Sequence, residues 1–208
     1  MSATEAWERY ASNARPRRRV NAAGASTWLN WTQYPDHGPN ESVLGELAGR
    51  RVLELGSGSG SNLAHLGTLG AICTGVDLAP SRTRTATTEW GHLLGLEFVT
   101  ADAVVFLTDT AESFDVVYSI FGAVWFTDPV ILLPLVRKRM RPGGVFVFSH
   151  LPAMEVCVTS SRTVNKWNYP AQQWEQMLTA TGFAASTTII PSPVGNKVGT
   201  LLVRASAV

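Results

Sequence analysis

The chain has 208 residues, with seventeen Lys or Arg against sixteen Asp or Glu. That length suffices for one sizeable core and requires no second domain. The formal charge of +1 supplies no field to draw in nucleic acid or an anionic membrane, so the expected partner is a small molecule.

Cys73 and Cys157 stand far apart and make neither a CxxC pair nor a disulfide framework; both are read as small buried hydrophobes in a reducing compartment. The N-terminus, MSATEAWERYASNARPRRRV, is polar and lacks an apolar signal core. No window approaches the roughly eighteen apolar residues of a membrane span, so a soluble, cytoplasmic protein is expected.

Residues 1–49 show no strand pattern but carry Trp7, Tyr10, Trp28, Trp31 and Tyr34. They are expected to form a helical extension that packs over one end of a sheet as a lid. From residue 50 onward, short Val-, Ile- and Phe-rich runs alternate with helical patterns, as in a parallel sheet with crossover helices. Strands are expected at 51–55, 71–76, 97–100, 114–119, 144–149, 184–190 and 198–204. Helices are expected at 62–69, 81–94, 129–140 and 171–181. Pro80 with Ser81 starts one helix, RPGG at 141–144 stops another, and Thr181 with Gly182 stops the last. The segment PSPVGNK leaves no room for a crossover helix, so the last two strands should be antiparallel.

The first strand runs into a bare turn, RVLELGSGSGSN at residues 51–62. Such a turn, leaving a strand and entering a helix, presents backbone N–H groups and the positive end of a helix dipole. Gly56, Gly58 and Gly60 permit close approach, and Ser57, Ser59 and Ser61 are small enough not to block it. Asp77 ends the second strand in TGVDLAP, where an acidic side chain accepts ribose hydroxyls, although an Asp capping the next helix reads the same way. Asp102 closes the third strand at the same rim. A dinucleotide fingerprint would need glycine at position 61, where Ser61 stands, and Glu54 precedes the first glycine by two residues.

These residues resemble the class I S-adenosylmethionine-dependent methyltransferases of small-molecule type. VLELGSGSG looks like that family's first motif, GVDLAP its second, ADA its third, FDVVYSIFGAVWF its fourth and MRPGGVFVFS the strand that follows. The resemblance is clear over 50–150 and looser over 151–208. It implies an α/β, Rossmann-like, seven-stranded, mostly parallel sheet with an antiparallel last strand and helices on both faces. It divides the chain into an N-terminal helical lid, 1–49, and a methyltransferase domain, 50–208.

The same resemblance implies roles for single residues. Gly56, Ser57 and Gly58 would face the methionine part of S-adenosylmethionine, with Glu54 holding the turn and its amino group. Asp77 would hold the ribose hydroxyls and Leu78 would pack on the adenine. Asp102 would accept from the adenine amino group, the Ala103 N–H would bond a ring nitrogen, and Ser119 would lie near the methionine amino group. S-adenosylhomocysteine would be the spent product.

Methyl transfer from a sulfonium is an in-line displacement driven by the donor, so the protein has chiefly to align the acceptor and exclude water. The loop SIFGAVWFTDP departs from the Asn/Asp-Pro-Pro-aromatic string of amide and base methylating families, and Trp125 stands near the place of a histidine common in small-molecule relatives. His65 and His92 read as structural. His150 leaves the fifth strand at the carboxyl rim and His37 lies in the turn WTQYPDHGPN, so these two are the candidate general bases. Trp31, Tyr34, Phe121 and Trp125 are the candidate substrate contacts, within a wider aromatic set of Trp28, Phe126, Trp167 and Tyr169 that suits an aromatic or heteroaromatic acceptor.

The RPRRRV run, with Arg15 and Arg17 to Arg19, reads as a solvated loop or a clamp for an acidic acceptor. No metal-ligand spacing is visible. The expected activity is methylation of an oxygen or nitrogen of a small metabolite. The alternatives are an RNA methyltransferase, or a related fold that binds the cofactor without transferring its methyl group; no oligomeric state follows. A hydrogen bond to a charged group is worth about 1.5–3 kcal/mol, so Asp77→Ala is expected to weaken S-adenosylmethionine binding by about one to two decades in calorimetry.

Overall fold

The structure, a computed structural model, describes residues 1–14, 17–153 and 164–208, together with the main chain of 157–160. Arg15 and the side chain of Cys157 lie outside the described set. Seven strands form one sheet: β1 (Arg51–Leu55), β2 (Ile72–Asp77), β3 (Leu96–Thr100), β4 (Phe114–Ile120), β5 (Met140–His150), β8 (Phe183–Ile190) and β9 (Thr200–Ala207). Between β5 and β8 a separate hairpin pairs β6 (Cys157–Ser160) with β7 (Asn165–Asn168). The sheet order is β3-β2-β1-β4-β5-β9-β8, with β9 antiparallel to both of its neighbours and the other pairs parallel.

Period-two alternation sends successive side chains to opposite faces of the sheet. Leu53, Leu55, Val117, Phe146 and Phe148 enter one core, covered by α4 (Ala103–Asp109), α6 (Pro129–Arg139) and α7 (Ala171–Ala180). Val52, Val116, Tyr118 and Val147 enter the other, under α2 (Ser61–Thr68) and part of the N-terminal segment. Two further helices, α3 (Pro80–Trp90) and the short α5 (Ala123–Phe126), follow β2 and β4.

Three expectations need correction. The segment 1–49 is helical only in α1 (Ala3–Asn13) and a 3-10 turn at Glu41–Leu44. Its central part instead threads Leu29, Trp31, Leu44 and Leu47 into the second core. Helix α4 was not anticipated, because its β-branched sequence AVVFLTD has low helix propensity; the Asp102 side chain makes it by capping the N–H groups of Val104 and Val105. Strand β5 starts at Met140, four residues early, because Met140 pairs with Phe114 before an irregularity carries the chain to the Val116–Val145 pair.

Trp31 was expected to touch substrate. It is fully buried, donates its indole N–H to the Asn40 carbonyl and meets Tyr118 edge-on at 6.0 Å. Removing so large a buried ring leaves a cavity, so Trp31→Ala is expected to cost about 3–5 kcal/mol of stability in urea unfolding.

Candidate functional site

The carboxyl ends of β1, β2 and β4 open into a cavity of about 430 Å³. The turn after β1 forms its floor, and that turn is bonded to β2. The Val76 carbonyl accepts from both Gly56 N–H (2.8 Å) and Ser57 N–H (3.0 Å). Asp77 then accepts the Gly58 N–H at 2.8 Å and the Ala79 N–H at 2.9 Å. Most of the bare backbone is therefore bonded internally rather than presented to a ligand.

The glycines have steric causes as well. Gly56 has φ +82°, and a Cβ there would sit 2.6 Å from the Ala123 nitrogen and 2.8 Å from Gly122 Cα. Gly60 has φ +75°, and a Cβ there would strike the Phe98 ring at 2.5 Å. After Gly60, α2 begins without a side-chain cap.

Glu54, Gly56, Ser57, Gly58, Asp77, Leu78, Asp102 and Ala103 all line the cavity. Ser119 does not: it is buried, and its hydroxyl donates to the Leu55 carbonyl at 2.7 Å, bracing the end of β1. The Asp102 carboxylate is divided between the cavity and its capping role on α4. Burial raises the Asp77 pKa above the usual carboxylate range, against the pull of the Ala79 and Gly58 amides.

Of the expected substrate contacts only Phe121 lines the cavity. Its φ of 48° places a bulky residue in the left-handed region, a strained conformation of the kind that collects at functional sites. Trp31 is core. Tyr34 faces elsewhere, its hydroxyl donating to the Val198 carbonyl at 2.7 Å. Trp125 lies behind the wall, its indole N–H bonded to Asn168 and its face covered by the Lys166 ammonium at 4.4 Å. Phe126 and Trp167 line the cavity, as do Trp7 and Tyr10 of α1. The aromatic content of the N-terminus was visible in the sequence, but which rings turn inward was not.

Neither candidate base is in the wall. His37 donates from Nε2 to the Pro191 carbonyl at 2.8 Å and meets the ring of Tyr34, so it clips the turn to the β8–β9 loop. His150 is fully buried between Trp125, stacked at 5.6 Å, and Phe148, stacked at 5.8 Å. Its Nδ1–H donates to Leu151, and burial pushes its pKa down to about 4, which keeps the imidazole neutral. His65 joins Thr27 and Glu41, tying α2 to the N-terminal segment.

Sequence reasoning missed Arg17 as a wall residue. Its guanidinium donates to Asn62 Oδ1 at 2.9 Å and to the Trp28 carbonyl at 2.6 Å, and it stacks over Trp28 at 3.8 Å. Only the density of arginines at 15–19 hinted at it.

Glu54 is the most perturbed acid of the wall. It is buried, its Oε2 has no hydrogen-bond partner, and burial pushes its pKa up to about 8 despite the opposing influence of Tyr118 and Asn62. A folded-state pKa above the unfolded value means that the folded protein binds the Glu54 proton more tightly. That contribution is complete below about pH 4.5 and is lost as pH rises to about 8. Glu54→Gln is therefore expected to gain stability relative to the unaltered protein by about 1 kcal/mol per pH unit across that window, read from unfolding curves at successive pH values; parallel curves would refute the assignment.

Residues 53–148 match the family model described as a methyltransferase domain. A probable phthiotriol/phenolphthiotriol dimycocerosates methyltransferase 2 of Mycobacterium ulcerans is 33% identical over 140 residues, 66% of this chain and 48% of that protein. A ubiquinone biosynthesis O-methyltransferase of a Caulobacter species is 29% identical over 138 residues, 62% of this chain and 54% of that one. The chain thus spans about half the length of the curated relatives it matches. In fold it is similar to the Burkholderia thailandensis 1,6-didemethyltoxoflavin-N1-methyltransferase, solved with 1,6-didemethyltoxoflavin and S-adenosylhomocysteine. The TM-score is 0.65 at 20% identity, over 77% of this chain and 72% of that one. With the motif order, the strand order and these likenesses in agreement, residues 53–148 match a methyltransferase domain, and the fold is similar to that of the solved methyltransferase.

Proposed function

We propose that this protein transfers a methyl group from S-adenosylmethionine to an oxygen or nitrogen of a small, aromatic or heteroaromatic metabolite. The observation that carries the reading is the cavity itself, where an acid-lined turn and a set of aromatic rings meet at one rim. The unpartnered buried oxygens of Glu54 and Ser57 are suited to the cofactor's polar amino-acid end. Asp77 is suited to the ribose hydroxyls, and Leu78, Asp102 and the Ala103 N–H to the adenine.

When bound, the cofactor supplies an electrophilic methyl on a sulfonium. The chain's own part is alignment and exclusion of water. Phe121 and Phe126 on the β4 side, Trp7 from α1 and Trp167 from β7 would give the acceptor an apolar, ring-lined enclosure, with Trp7 packed edge-on to Phe126 at 4.6 Å. Aromatic faces also favour a sulfonium cation. The names of two similar proteins include ubiquinone biosynthesis and phthiotriol/phenolphthiotriol dimycocerosates, and a third was solved with 1,6-didemethyltoxoflavin, which supports a small-molecule acceptor.

Incubation with methyl-labelled S-adenosylmethionine and a panel of phenols, quinols and N-heterocycles is expected to label at least one acceptor. The label should fall by about tenfold or more in Trp167→Ala, consistent with the energy of a buried aromatic contact. Label transferred only to RNA, or none with any acceptor despite cofactor binding, would overturn the proposal.

A further inference from the structure

We infer that Arg17 binds the carboxylate of the cofactor's amino-acid end, so that Arg17 and Glu54 together form a two-ended receptor for an α-amino acid zwitterion. The inference rests on the cofactor reading above and adds to it a residue from outside the sequence motifs.

Both side chains line the cavity, and they carry opposite charge when ionised. They influence one another electrostatically, yet no ion pair closes between them among the described residues. Glu54 Oε2 is buried and has no partner. Arg17 acts on it only at a distance, so the oxygen is open to a hydrogen-bonding cation, and an ammonium is the matching group.

Arg17 is arranged for the other charge. One N–H goes to Asn62 Oδ1 and one to the Trp28 carbonyl, while the guanidinium face rests on the Trp28 ring. Those contacts fix the plane of the fork and leave further N–H donors for a carboxylate. Asn62 belongs to the first turn of α2, whose uncapped N-terminus contributes positive potential to the same corner. The wall's other arginine, Arg82, interacts with Asp77 and Glu8 instead, which places it by the ribose end.

The test compares two ligands by calorimetry: S-adenosylhomocysteine, which has the amino-acid end, and 5′-methylthioadenosine, which keeps the nucleoside and sulfur but lacks it. Arg17→Gln is expected to weaken S-adenosylhomocysteine by about tenfold to a hundredfold and to leave 5′-methylthioadenosine unchanged. Arg17→Lys should recover part of the loss, since it restores the charge without the fork. Asp77→Ala should weaken both ligands alike.

Equal losses for the two ligands in Arg17→Gln would overturn the inference and leave Arg17 as a brace for Trp28 and Asn62. Undiminished S-adenosylhomocysteine binding would overturn it too, and a raised KM for the acceptor alone would assign Arg17 to an acidic acceptor instead. If neither ligand bound the unaltered protein, the cofactor reading would fall first and take this inference with it.

Discussion

The end of β2 shapes the site. Its penultimate carbonyl, at Val76, receives two N–H groups of the turn leaving β1, and its last side chain, Asp77, receives a third. The turn is thereby moulded on a neighbouring strand and held open at a fixed curvature, while its other flank presses against Gly122 and Ala123 after β4. Three strand ends meet in one joint, and the cavity is the space that the joint leaves. The same bonds hold a carboxylate in place: two amides orient Asp77 before any ligand arrives, so its remaining lone pairs are aimed without further ordering.

Around that joint the protein separates polar function from packing. The acids and Arg17 line the cavity, whereas His150 is withdrawn into a column of rings. Lys166 lies over Trp125, Trp125 over His150, and His150 beside Phe148 and Trp174. A charged imidazole in that column would be costly, and the neutral one packs as an aromatic. The column joins β5 to α5 and, through Asn168, to the β6–β7 hairpin, so the hairpin that brings Trp167 to the wall is anchored to the sheet.

The strands were legible because their alternation is strict and their ends are marked: β1 falls on the expected residues, and the antiparallel edge follows from a linker too short for a crossover. The wall of glycine turn and acids was legible because motif spacing fixes which residues leave each strand end together. The aromatic wall was not, since it is assembled from α1, α5 and β7, whose mutual placement is a tertiary property. An aromatic residue carries no mark saying whether it lines a cavity or fills a core; Trp31 and Trp7 look alike in sequence and differ only in what folds over them. The histidines misled for a related reason, since a position at the carboxyl rim does not decide whether the ring turns toward the cavity or into the sheet.

Helix α1 supplies part of the mouth of the cavity while burying none of its own residues. It is held by a capping box at its start, by Glu8 accepting the Ser81 N–H at 2.7 Å, and by the Trp7–Phe126 contact. Contacts this sparse set a low free energy for local opening compared with unfolding of the sheet. The mouth of the cavity is therefore expected to open at a lower cost in free energy than the strand ends beneath it.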